Sequence, residues 1–140
     1  GYDVIIVEDR EAFGNPVRFP GAREIHVHED MEKAMGMVRV HSNMYIVIAT
    51  KDSDEKALRA VVGSDAAYIG VIGSRRKVGI ILGHMKEEGV DAAVIDRIHA
   101  PIGLDIGAET PPEIAISILA EVLKVMKRAS GRSMKELRVK

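Results

Sequence analysis

The chain has 140 residues, 46% hydrophobic, 29% charged and only 4% aromatic, which suits one domain with an aliphatic core and excludes a disordered polymer. Twenty Lys and Arg against 21 Asp and Glu exclude a globally basic nucleic-acid binder. Cysteine is absent, so disulfides, Cys-ligated zinc, thiol catalysis and persulfide carriage are excluded as well.

In chain order, Val4-Ile5-Ile6-Val7 is the first short β-branched run, and it ends in Glu8-Asp9-Arg10. Phe13 to Gly21 reads as a turn-rich loop inside the domain. Ile25-His26-Val27-His28 alternates, as a half-covered strand near a sheet edge does. Met31, Ala34, Met35 and Val38 then take helical spacing, with Asp30 placed as a cap. Tyr45 to Ala49 and Tyr68 to Ile72 are again apolar on successive residues, the pattern of strands covered on both faces of a parallel sheet. Between them, after Lys51-Asp52-Ser53-Asp54, lies a shorter helical stripe of Ala57, Leu58, Val61 and Val62, for which Asp52 or Asp54 is the expected cap.

Val78, Ile81, Leu82 and Met85 predict a helix stopped at Gly89, with Gly79 and Gly83 beside the stripe suggesting a close backbone neighbour. Thr110-Pro111-Pro112-Glu113 is a capping box. The following Ile114 to Ala120 is apolar almost all round and predicts a largely buried helix. Strands alternating with helices specify an α/β fold with a parallel sheet, here one domain over residues 1–140 with a basic tail from 129. No apolar run approaches the roughly 18 residues of a membrane span, and Gly1-Tyr2-Asp3 lacks a basic leader. A soluble cytoplasmic domain is expected.

Charge is uneven. Residues 1–32 hold eight acids and three bases, whereas residues 124–140 hold seven bases and one acid. No aromatic interleaves those bases, and the tail reads as a solvated helix end.

Ligands of open parallel sheets bind at the carboxyl ends of strands, and four segments there carry usable chemistry. Asp9 ends the first strand, where an acid can receive ribose hydroxyls or simply face water. Gly73-Ser74-Arg75-Arg76-Lys77 places three cations at a helix N-terminus, against the macrodipole. Backbone N–H groups with guanidinium forks there suit phosphate or pyrophosphate. The alternative is that these cations face solvent or pair with acids such as Glu109. Gly103 and Gly107 fold the segment Ala100 to Glu109 sharply around Asp105, which either touches a ligand or satisfies backbone N–H groups. Thr50, at the end of the Tyr45 to Ala49 strand, could touch a ligand. His26 and His28 share a strand face without a third ligand, so no metal site is expected. His41, His84 and His99 have no paired acid or nucleophile nearby in sequence and receive no catalytic role.

Taken together, the Gly73 to Lys77 turn, the segment Ala100-Pro101-Ile102-Gly103-Leu104-Asp105-Ile106-Gly107-Ala108 and the run Thr110 to Glu121 resemble the C-terminal Rossmann-like domain of the XdhC/CoxI family. The resemblance is dense from Tyr68 to Glu121 and collinear from Tyr2 to Val62, with Arg18-Phe19-Pro20 also similar. It implies a maturation factor for xanthine or CO dehydrogenases rather than a metabolic enzyme. Such a factor binds the molybdenum cofactor (molybdopterin), protects it during sulfuration and passes it to a molybdenum hydroxylase, with a cysteine desulfurase as a further partner.

Two features depart from the family pattern. The family's opening strand and Gly-x-Gly turn would fall ahead of Gly1, which marks either a truncation boundary or a natural short form, and Lys51 stands where a His often follows the Thr. An open sheet edge of that kind invites pairing with another chain, and a homodimer is one expectation. The competing readings are a nicotinamide-dependent oxidoreductase domain binding NAD(P), and an interaction module without a ligand. The first is disfavoured because there is neither a Gly-x-Gly-x-x-Gly turn nor an acid/base pair.

Overall fold

The computed structural model describes residues 1–137; Arg138 and Lys140 of the predicted basic tail lie outside the described residues. Strand β1 (Val4–Glu8) pairs in parallel with β2 (Ala22–Val27). Helix α1 (Met31–Gly36) follows, capped as expected by Asp30, whose carboxylate accepts from the Glu32 N–H. Then come β3 (Tyr45–Ile48), α2 (Asp54–Val61), β4 (Tyr68–Val71) and α3 (Arg75–Glu87). The short α4 (Ala92–Ile95) and β5 (Ile98–His99) lead to the long α5 (Pro111–Lys127) and a 3₁₀ turn at Met134–Glu136.

All strand pairings are parallel, as a Rossmann-like α/β fold requires, but they form two sheets: β1-β2 and β3-β4-β5. No ladder joins β1 to β3. One core nevertheless serves both sheets. Val7 of β1 packs against a cluster that includes Ile48, Ile69 and Val71 from the second sheet and Ala57, Leu58 and Val61 from α2.

The register divides the larger sheet into two faces. Ile46, Ile48, Ile69, Val71 and Ile98 alternate onto the face packed with α2 and α3. Tyr45, Val47, Tyr68, Gly70 and His99 occupy the other face, which meets Glu121 of α5. Gly70 is needed here for space. A Cβ would run into Ile102 Cδ1 and stand 2.8 Å from the Tyr68 ring, so Gly70→Ala should cost about 1–3 kcal/mol of overpacking strain. Denaturant titration checks this, and an unchanged midpoint would contradict it.

Several expectations need correction. Helix α5 is not largely buried: Ser117, Ile118 and Val122 are, whereas Ile116, Leu119 and Leu123 form an exposed stripe. Its apolar composition exceeds what the sheet beneath it covers. The α2 cap is Ser53 rather than Asp52 or Asp54, with Asp54 the first helical residue. No neighbour comes within 4 Å of a Cβ built on Gly79 or Gly83, so no close backbone approach exists there. Gly89 does end α3, at φ +87°. The α5 capping box is formed, with Glu113 accepting from the Thr110 and Glu109 N–H groups at 2.9 Å each. Among the described residues no helix is long and apolar enough to cross a membrane.

Candidate functional site at the carboxyl ends of the strands

Each of the four segments singled out in the sequence follows a strand, so parallel pairing directs them toward the carboxyl ends. Three of them are tied together by a chain of side-chain hydrogen bonds. Ser53 Oγ donates to Asp9 Oδ2, bridging the ends of the two sheets. The Ser53 N–H donates to Thr50 Oγ1 at 2.9 Å, and Thr50 donates in turn to Asp54 Oδ1 through both its N–H (3.0 Å) and its hydroxyl (2.5 Å). Lys77 Nζ completes the chain on Asp54 Oδ2. The Ser53 hydroxyl, opposed by partial burial and aided by Arg10, holds Asp9 below the usual aspartate range.

Asp54 is only 2% exposed, and a carboxylate so placed requires a cation and hydrogen-bond donors. This explains why Lys77, unlike Arg75 and Arg76, is held on a carboxylate. The expected alternative partner, Glu109, does not take these cations. Thr50 is engaged in the same chain, its hydroxyl donating to Asp54 and accepting from the Ser53 N–H.

Ser74 caps α3, its hydroxyl oxygen accepting from the Lys77 N–H at 3.2 Å, as the sequence suggests. Arg75 and Arg76 open the helix, are exposed, and form no ion pair among the described residues. Their guanidinium groups and the first-turn N–H groups leave this segment with two adjacent cations that no internal carboxylate takes up among the described residues, a donor set that suits an anion. Cavities of about 440 and 350 Å³ lie elsewhere. Met35, Val38, Ala60 and Val61 help line the first; Ile5, Arg23, His41 and Met44 help line the second. None of the predicted site residues lines either cavity.

The loop carrying Asp105 is held from behind by two residues of α5 that sequence reasoning missed. Glu121 Oε2 accepts from the Gly103 N–H at 2.9 Å and from the Tyr68 hydroxyl at 2.6 Å. Ser117 Oγ donates to the Leu104 carbonyl at 2.6 Å. Gly103 adopts φ +103°, and a Cβ there would lie 2.5 Å from Ser117 Oγ, so both conformation and space demand glycine. Asp105 and Gly107 are exposed beyond this anchor. No hydrogen bond from a backbone N–H to Asp105 forms among the described residues.

His99 also gains a partner that its sequence neighbours do not reveal. Its ring stacks on Tyr68 with centroids 4.5 Å apart, and its Nδ1 lies 3.7 Å from Glu121 Oε1. Burial, and then the Glu121 carboxylate, push the Tyr68 phenol well above its ordinary value. His26 lies against Glu24 and His28 accepts from the Asp30 N–H. No group of three His, Cys, Asp or Glu that could hold a metal is present among the described residues.

Beyond β1 the loop is braced by Phe13, with the Arg10 and Arg18 guanidinium carbons 4.2 and 4.8 Å from its ring centre. Glu8 neutralises Arg10 through a 2.8 Å contact.

Residues 1–122 match the family model described as the XdhC Rossmann domain. The uncharacterized protein YqeB of Escherichia coli (strain K12) is 37% identical over 134 residues, covering 96% of this chain and 25% of that protein. A protein of Bacillus subtilis (strain 168), named as a probable xanthine dehydrogenase subunit, is 26% identical over 132 residues, covering 93% of this chain and 38% of its own. The chain thus spans well under half the length of these relatives. In fold, it matches the crystal structure of a xanthine dehydrogenase from Bacillus halodurans at a TM-score of 0.76 and 23% identity, over 91% of this chain and 38% of that one.

Proposed function

The chain belongs to the XdhC Rossmann-domain family, and from that premise we propose that it is the cofactor-handling domain of an accessory factor for a xanthine dehydrogenase-type enzyme. On this reading it binds the phosphate of molybdopterin, or of a related nucleotide, at the start of α3. The single observation that carries the proposal is the exposed Arg75–Arg76 pair beside the Ser74 cap, two cations that no internal carboxylate takes up among the described residues. Lys77, by contrast, is spent on Asp54.

The donor set fits a phosphate: guanidinium forks, first-turn N–H groups and the Ser74 hydroxyl all donate. When bound, the molybdenum cofactor supplies the oxygen-transfer chemistry of the recipient enzyme. The residues of this chain bind and orient its phosphate. Asp105 and Gly107, on the loop anchored by Glu121, are the proposed second set of contacts, with Asp9 toward any ribose. The partner is a molybdenum hydroxylase, and a cysteine desulfurase follows from the same reading as a further expectation, with a homodimer a separate one. A soluble cytoplasmic location accords with this role.

Isothermal titration of the full-length protein with molybdopterin tests it. Arg75→Ala with Arg76→Ala should weaken binding at least about tenfold, the worth of one charge-assisted hydrogen bond or more, with the melting temperature unchanged. Equal affinity in the double variant would remove the proposal. Tight stoichiometric binding of NAD(P) in its place would favour the oxidoreductase reading.

A further inference from the structure

Ser53 occupies the N-cap of α2, yet its side chain makes no capping bond to that helix. Serine at this position ordinarily caps, and here the bond is forgone. The hydroxyl donates instead to Asp9 Oδ2, 44 positions away, across the unpaired boundary between the sheets. Asp9 stands at the carboxyl end of a parallel strand, where an acidic side chain receives the hydroxyls of a ribose. Receiving both hydroxyls of a cis diol engages both carboxylate oxygens. One is held by Ser53, and the other lies 3.8 Å from Arg10 Nε.

We propose that Ser53 is a specificity-determining residue whose hydroxyl competes with a ligand's ribose for Asp9. This rests on the reading that the strand ends hold a phosphate-bearing cofactor. The Ser53 hydroxyl takes one acceptor site of Oδ2, so a ribose hydroxyl that reaches this oxygen must share it with Ser53 or displace that bond, and its net gain there is reduced. A ligand that carries the phosphate but no ribose forfeits nothing. Ser53 therefore biases the site against nucleotide extension and toward the shorter, phosphate-only form of a cofactor.

Calorimetric titration of the full-length protein with 5′-AMP and with 2′,3′-dideoxy-AMP tests the assignment. Ser53→Ala and Ser53→Gly should each bind 5′-AMP about five- to tenfold tighter than the wild type, while dideoxy-AMP changes less than about twofold. Glycine is well tolerated at an N-cap, so the second variant keeps the test valid should alanine impair folding. If neither variant gains affinity for 5′-AMP, or if dideoxy-AMP gains equally, Ser53 does not compete and the assignment falls. In that case, 5′-AMP binding that is still lost in the Arg75→Ala/Arg76→Ala protein leaves the proposed function standing. Failure of the wild type and the variants to bind either nucleotide or inorganic pyrophosphate overturns both.

Discussion

Lys77→Met should lower the unfolding free energy by about 2–3 kcal/mol, whereas Asp54→Asn should cost only about 1 kcal/mol. The asymmetry comes from exposure. The Asp54 side chain is 2% exposed and the Lys77 side chain 44%. Removing the ammonium strands a carboxylate where water does not reach it, the costly way to break a buried pair. Removing the acid leaves a lysine that can turn outward and hydrate. The figure for Lys77→Met lies below the usual range for buried pairs because the exposed stem lets water screen part of the interaction. Asparagine also keeps an oxygen for the Thr50 N–H and hydroxyl. Urea titration with an unchanged m-value measures both changes. Equal losses in the two variants would mean that the pair behaves as a surface contact.

The same pair shows what could and could not be read from the sequence. The Gly73 to Lys77 turn was legible because a buried β-branched strand gives way to a stripe at helical spacing, and the local cap follows from Ser74. That Lys77 differs from its two neighbours was not legible. Its pairing depends on Asp54, 23 positions earlier, which local reasoning takes for a helix cap. The strands around Val4, Tyr45 and Tyr68 announce themselves through contiguous branched residues. Their division into two sheets does not, since periodicity reports faces and says nothing about neighbours. The elements α4 and β5, four and two residues long, are shorter than any period that could signal them. Ser117 and Glu121 did leave a trace: two polar side chains four apart, within one face of an otherwise apolar helix. A reading attentive to apolar residues passes over that trace. The spacing of polar exceptions within an apolar helix is informative because such groups are buried only where partners await them.

Glu121 is one of the two residues through which α5 fixes the candidate loop, and Glu121→Ala should cost about 3 kcal/mol. Two donors lose their acceptor at once: the hydroxyl of Tyr68, a residue 2% exposed, and the N–H of Gly103. Each unsatisfied group carries a penalty of about 1–3 kcal/mol, moderated here because the loop can open to water at Gly103. Glu121→Gln retains one carbonyl oxygen that can accept from both donors, so its loss should stay near about 1 kcal/mol. Amide hydrogen exchange separates anchoring from general weakening. In Glu121→Ala, the Gly103 and Leu104 amides should exchange faster relative to the core amides of β4, because local opening of the loop then precedes global unfolding. Exchange that accelerates uniformly through β4 and the loop would show instead that Glu121 stabilises the whole domain without holding the loop in particular.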